Sequence, residues 1–436
     1  MAYPFAEPRN TRKVSTGRTA GYSFLVSGSE TTDRIASRLE PAPGPGWENG
    51  DRATAERLGL AFERDTPFTV GAEEELMLVD PDSWKLVPAV DAVLARTDGD
   101  ARFMRELRES QIEIVTPVVG NAQALGIALA AARLDLARRA VPEARISASG
   151  THPWDDDWGE IAIGERYRQI AHEFPWAAAG SLPCGLHVHV AVPGAERALA
   201  IYNAVRSYLP ELAALSANSP YLAGKDTGLA SSRRTLNDAF HRTGIPPAFE
   251  DWEAFTGFVR WGQIGGVFPD AKFLWWDIRP HTAFGTLELR VADAQTRVQD
   301  TVAIVAVFQS LVASLSDEYD RRGRLDAHPT ERIAENAYRA VRYGVRGWMV
   351  DLDNGVRETT RNRIRRMLDR IEATASTLGN YAALLHARSL VADNGAERQR
   401  YVVEHAGDTA GGLRELVEWL ACETVASADE LLDRRL

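Results

Sequence analysis

The sequence predicts an α+β fold whose C-terminal third is wholly helical. Strand-like segments of alternating polarity recur between residues 68 and 291, separated by helices of uneven length. After about Glu331 only helical patterns remain. No G-x-G-x-x-G follows a strand and no G-x-x-x-x-G-K-[ST] occurs, so the phosphate-binding turns of Rossmann and P-loop proteins are missing.

Residues 1–66 read as a flexible extension. The run Pro41-Ala42-Pro43-Gly44-Pro45-Gly46 sustains neither helix nor central strand, and the segment before it has no periodicity. From Phe68 the pattern changes. Phe68–Val79 predicts a strand, Asp80-Pro81-Asp82 a turn, and Glu109–Val115 a second strand ending at Thr116-Pro117. Asn121 is positioned to cap a helix through Arg139, with Leu125, Leu129, Leu134 and Ala137 at helical spacing. Further strands are expected at Arg145–Ser149, Gly185–Val192, Phe273–Arg279 and Gly285–Val291. Helices are expected at Ala195–Tyr208, Asp251–Gln263, Val298–Asp317, Thr359–Thr377 and Gly411–Arg435.

The 436 residues are 45% hydrophobic and 25% charged with a formal net charge of -11, which leaves no electrostatic footprint for nucleic acid. Cys184 and Cys422 have no C-x-x-C spacing, which excludes a disulfide scaffold or zinc knuckle. The longest apolar run, Val302–Phe308, is too short to span a bilayer, and Met1–Val14 does not read as a signal peptide. The expected compartment is the cytoplasm, with no membrane partner.

Four strands carry polar faces. Side chains alternate along a strand, so Glu73 and Glu75 share one face and Glu74 takes the other. Carboxylates crowded on a core-facing surface need cations or buried arginines, and hard oxygen donors suit Mg²⁺ or Mn²⁺. A solvated acidic edge strand is the competing reading, weakened by the apolar flanks. On the next strand Glu109, Gln111 and Glu113 project to one side, which alone also fits a sheet with one face in water. His187 and His189 share a face; such a pair can ligate a metal, contact phosphate, or hydrogen-bond within a polar core. Glu288 and Arg290 share another, as metal ligand and phosphoryl-neutralising cation or as an ordinary ion pair.

In this order the residues resemble the glutamate–cysteine ligase type 2 family of carboxylate–amine ligases, from about Phe68 to Asp353. The phrases are Gly71-Ala72-Glu73-Glu74-Glu75, Ser110–Pro117, Gly150-Thr151-His152-Pro153, Cys184–His189, Leu215–Pro220, Trp276–Pro280 and Ala337–Gly344. The resemblance implies a glutamine synthetase-like catalytic fold: a curved, mainly antiparallel sheet forming an active-site funnel, in a single catalytic domain over 67–436. It implies ATP and Mg²⁺ (or Mn²⁺) as cofactors. ATP would phosphorylate a substrate carboxylate, and an amine would attack the acyl phosphate, as in γ-glutamylcysteine formation or the same chemistry on another acid–amine pair. Glu73, Glu75, Glu113 and Glu288 would be metal ligands, with Glu109 a weaker candidate near the cofactor. His187 would contact metal or phosphate, with His189 nearby. Arg290 and Arg233 would stabilise the transferred phosphoryl group, and Arg279 would bind a carboxylate or phosphate or serve structurally. Asn237–Pro247 departs from the family pattern, so the acceptor amine need not be cysteine. The resemblance is compatible with a homodimer. Two readings compete with it: a metal-dependent hydrolase or phosphotransferase, and a non-catalytic nucleotide-binding relative.

Overall fold

A computed structural model describes residues 47–433 apart from 64, 181, 407 and 408. Seven strands form one sheet: β1 (Val70–Val79), β2 (Phe103–Arg105), β3 (Gln111–Val115), β4 (Arg145–Ser147), β5 (Gly185–Ala191), β6 (Ile278–His281) and β7 (Thr286–Asp293). Their order is β6-β7-β5-β1-β3-β2, with β4 paired to the end of β1, and every pairing is antiparallel. The α+β expectation therefore holds, and so does the mainly antiparallel sheet.

The helices include α1 (Trp47–Gly59), α2 (Ala122–Ala140), α3 (Glu165–Glu173), α4 (Ala195–Val205), the short α5 (Ser232–Asn237), α6 (Trp252–Ile264) and α7 (Val298–Arg322). The C-terminal set is α8 (Thr330–Tyr343), α9 (Thr360–Thr377), α10 (Tyr381–Leu390), α11 (Gly395–His405) and α12 (Thr409–Asp433). Asn121 caps α2 as expected, its side chain accepting the Ala124 N–H at 2.9 Å. One sheet face is apolar: Val70, Ala72, Leu76, Leu78, Ile112, Ile114, Leu186, Val188 and Val190 are all buried in the core shared with α2 and α7. Helix α7 is long and apolar enough to cross a membrane, but 89% of its apolar window is buried inside the body, so it is a core helix.

Three expectations change. The helical third contains a hairpin, Trp348–Val350 with Arg357–Thr359. Its strands are three residues each, too short to show a period, and its turn is closed by Asp351 accepting the Asp353 and Asn354 N–H groups. The strand expected over Phe273–Arg279 is broken into a 3₁₀ turn, the two-residue strand Trp275–Trp276 and the start of β6.

The third correction concerns the boundary set at residue 66. Residues 1–46 lie outside the described residues, but α1 and the turn Leu60–Phe62 pack on the body. Phe62 is fully buried edge-on to Trp252 (5.1 Å between centroids), and Trp252 Nε1 donates to Ala55 O at 2.9 Å. The apolar run Leu58–Phe62 follows the proline–glycine segment and supplies the surface that the breakers lack. Gly285 marks how close this approach is. It has φ +63°, and a Cβ there would meet Ala61 O at 1.8 Å. Gly285→Ala is expected to destabilise the fold by about 1–3 kcal/mol through strain and overlap, read by urea denaturation. An unchanged midpoint would mean that Leu60–Phe62 does not rest against β7.

Candidate active site

The register of the sheet brings the expected side chains onto its other face. Glu73 lies opposite His187, Glu75 opposite Glu113, Glu288 opposite His189, and Arg279 opposite Glu288. Directly opposed residues on neighbouring strands project the same way, so four strands feed one cluster. A β-bulge completes it. Arg290 and Val291 of β7 together face the single His187, since Leu289 pairs with Val188 and Ala292 with Leu186. The extra residue bends the strand and reverses its alternation. Arg290 thereby stays beside His187 (Nη1 to Nδ1, 3.4 Å), while Asp293 comes opposite Gly185.

Within the cluster His187 Nδ1 is 3.2 Å from Glu73 Oε2, and its Nε2 lies 3.7 Å from Glu75 Oε1 without a hydrogen-bond partner among the described residues. His189 Nδ1 meets Thr286 Oγ1 at 2.9 Å, and its Nε2 is 3.5 Å from Glu73 Oε1. The backbone N–H of Gly185 donates to Glu75 Oε2 at 2.5 Å. Among the described residues two groups have ligand atoms close enough to hold one ion each, all within 4.8 Å: Glu73–His187–Glu288 and Glu75–Glu113–His187. Glu74 takes the opposite face, fully buried against Arg133 of α2.

The electrostatics follow from the crowding. Burial pushes the Glu75 carboxyl up to about 7, helped by the charge of Glu106. Burial, then the charges of Glu73, Glu106 and Glu75, raise Glu113 well above the usual range. Burial also opposes ionisation of Glu73, but hydrogen bonds with His187 and His189 outweigh it and hold the group far below its ordinary value. Glu288 is likewise held low, because Arg279 and Arg290 overcome its burial. Burial and Arg290 bring His187 down to about 4, so its imidazole is neutral at pH 7 and free to ligate.

Arg233 reaches the cluster from α5. Its guanidinium lies flat against Gly185, where a Cβ would be 2.2 Å from Nη2, and its Nη atoms donate to Arg290 O at 3.4 Å. Its buried Nε has no hydrogen-bond partner among the described residues. Asp293 anchors the turn before it, accepting the Ser231 and Ser219 hydroxyls and the Asn218 N–H at 2.7–2.8 Å. Arg279 is differently placed. It pairs with Glu288 through Nε and Nη2 and spends Nη1 on the carbonyls of Lys272 and Leu274. Glu109 is not brought to the cluster; it sits in the turn before β3, because the strand begins at Gln111 and not at 109.

These residues fall within the 69–419 stretch that matches the family model "Glutamate-cysteine ligase family 2(GCS2)". The chain belongs to glutamate–cysteine ligase family 2. It is thus an ATP-dependent carboxylate–amine ligase. Curated relatives include "Putative glutamate--cysteine ligase 2-1" of Rubrobacter xylanophilus, 37% identical over 80% of this chain and 94% of that one. A protein of Solibacter usitatus named "Putative glutamate--cysteine ligase 2" is 34% identical over 82% of this chain and 93% of its own. Among solved structures, a glutamate–cysteine ligase of Francisella tularensis in complex with AMP shares the fold (TM-score 0.56, 12% identity, 85% of this chain and 93% of that one). So does the bifunctional glutathione synthetase of Pasteurella multocida (TM-score 0.59, 13% identity, 86% of this chain); the chain spans 54% of that synthetase's length.

For this family member the sequence reading missed four residues that shape the site. Glu106, Arg166 and Tyr167 line the pocket beside Glu75, His187, Arg233 and Arg290, and Asp293 lies beneath Arg233. Glu106 follows the three-residue strand β2, and Arg166 and Tyr167 sit on α3, a short helix with one buried apolar residue. Neither element is long enough to announce itself by periodicity. Asp293 did carry a signal, as a charged residue at the end of an apolar strand.

Proposed function

We propose that the chain joins the carboxylate of a small acid, glutamate first among the candidates, to an amine through an acyl phosphate, with Mg²⁺-ATP as the phosphoryl donor. One observation carries this reading: two carboxylate–histidine groups share one sheet face with Arg290 and Arg233 at their edge. The donors fit a divalent cation. Among the described residues His187 Nε2 is buried and unpartnered, and burial with neighbouring carboxylate charge makes Glu75 and Glu113 resist ionisation more than the nearby arginines offset. Glu73, His187 and Glu288 would hold one ion and Glu75, Glu113 and His187 another, or the two sets would share one. Mg²⁺ there would neutralise phosphate oxygens of ATP.

The chain's own residues then have distinct tasks. Arg290, fixed by Glu288, and Arg233, fixed over Gly185 by the Asp293 turn, present guanidinium groups where charge builds on the transferring phosphoryl group. Their positions are set before substrate arrives, which lowers the reorganisation needed in the transition state. His189 steadies Glu73. Arg279 acts as the support of Glu288, since its donors are already engaged. The wall of Arg166, Tyr167, Phe240 and Trp275 bounds the side on which acid and amine would meet.

The test is mass-spectrometric detection of an amide formed from ATP, Mg²⁺ and pooled amino acids and amines. ADP release matched by amide supports the reading; hydrolysis without ATP, or ATP consumption with no amide from any pool, overturns it. A paired substitution checks the site. Glu109→Ala should leave turnover within about twofold of wild type, as for a residue away from the chemistry. Glu106→Gln, at the pocket wall, should lower kcat/KM by on the order of tenfold or more. The reverse ranking in a steady-state assay would return Glu109 to the site.

A further inference from the structure

A second cavity, of about 330 Å³, opens among the helices and shares no lining residue with the acidic site. Its wall includes Glu211, whose side chain is 3% exposed. One oxygen of Glu211 accepts Arg363 Nε at 2.7 Å, but the other, Oε2, is buried without a hydrogen-bond partner among the described residues. A carboxylate oxygen in that state costs stability until a donor reaches it. Burial raises the Glu211 carboxyl above its ordinary value, the Arg363 charge offsetting only part of the effect.

The lining offers no spare cation. Arg363 is spent on Glu211, Arg370 pairs with Glu318, and Arg366 with Glu358 at 2.8 Å. His328 meets Ser207 at 2.8 Å and Asp353 at 3.1 Å. Five carboxylates stand against three guanidiniums along the wall. Arg322, beyond the lining, also pairs with Glu318 and Asp326, so the group still short of a donor among the described residues is Glu211 Oε2. A metal ion fits poorly: among the described residues, the two groups of ligand atoms close enough to hold an ion both lie in the acidic site. Leu315, Leu352 and Met367 add an apolar side to the cavity, which suits a hydrocarbon chain.

We propose that this cavity binds a small aliphatic amine, its ammonium pairing with the Glu211 carboxylate and its methylene groups lying against Leu315, Leu352 and Met367. The acceptor amine of the ligase reaction would enter the acidic site, so this is a separate, second amine site.

Isothermal titration of the full chain with n-butylamine and putrescine tests it. Saturable binding is expected for at least one of them, weakened about tenfold or more by Glu211→Gln, which removes the anchoring charge. That variant also strips Arg363 of its ion pair, so Leu325→Trp is the second arm. It fills the cavity from its half-exposed rim, leaves Glu211 and Arg363 in place, and should abolish the same binding. Amine binding that survives Leu325→Trp belongs to the acidic site and overturns the proposal. So does the absence of saturable heat with both amines, or acetate binding that Leu325→Trp removes.

Discussion

Replacing Arg133 with Met is expected to lower the stability of the chain by about 3–5 kcal/mol, the usual loss when one partner of a buried ion pair is removed. Arg133 and Glu74 are both fully inaccessible to water. All five N–H groups of the guanidinium are used. Nε and Nη2 donate to the two Glu74 oxygens at 2.8 and 2.7 Å. Nη2 also reaches Gln295 O at 2.6 Å, and Nη1 reaches Thr296 O and Thr424 O at 2.7 and 3.3 Å. The side chain therefore ties β1 to the segment entering α7 and to α12. Loss of Arg133 leaves the Glu74 charge in the core with only the Thr301 hydroxyl, 3.0 Å away, to oppose it. The double variant Glu74→Leu/Arg133→Met should recover part of the loss, since no charge is then stranded, while the three carbonyls still lack a donor. Urea denaturation of the two single variants and the double measures both. A loss under about 1 kcal/mol for Arg133→Met would show that the pair is not a buried tie.

Glu74 also shows what alternation alone can reveal. The triplet Glu73-Glu74-Glu75 is uninformative as composition, but strand geometry separates its middle member from the outer two, and the structure puts Glu74 in the core and the others on the acidic face. His187, His189, Glu113 and Glu288 were legible in the same way, because each lies on a strand long enough to show which residues share a face. Glu109 failed for a related reason: the pattern Glu109-Ser110-Gln111 continues the alternation two residues beyond where the hydrogen-bonded ladder starts. Arg290 lies beside His187, and no local pattern discloses the bulge that keeps it there. Glu106, Arg166 and Tyr167 come from segments whose position is decided by tertiary packing, which periodicity does not encode. Likewise α1 was hidden by its flank, since breakers at 41–46 describe the chain before it and not the apolar surface that binds Trp252.

Glu113→Gln should separate what the acidic face does for catalysis from what it does for stability. Glu113 is expected to be a metal ligand, and its loss should lower turnover on the order of a hundredfold or more, with a higher Mg²⁺ requirement. Stability should move the other way. In the metal-free chain, burial and the charges of Glu73, Glu106 and Glu75 hold Glu113 well above its ordinary value of 4.5. The folded state therefore binds a proton that the unfolded state has already released, and stability falls as pH rises from about 4.5 through the raised value. Glutamine carries no such penalty. Metal-free Glu113→Gln should melt above wild type at neutral pH, and the difference should shrink to nothing as the pH is lowered below about 4.5, where both states of wild type are protonated. Added Mg²⁺ should reverse the order at neutral pH, because only wild type keeps the full ligand set. An ordinary structural carboxylate would behave otherwise: its removal would lower the melting temperature, and Mg²⁺ would not change the ranking. Melting curves of both proteins, with Mg²⁺ and with chelator, across that pH range would decide between the two. If they show the structural pattern, Glu113 is not a ligand and the cation site contracts to Glu73, His187 and Glu288.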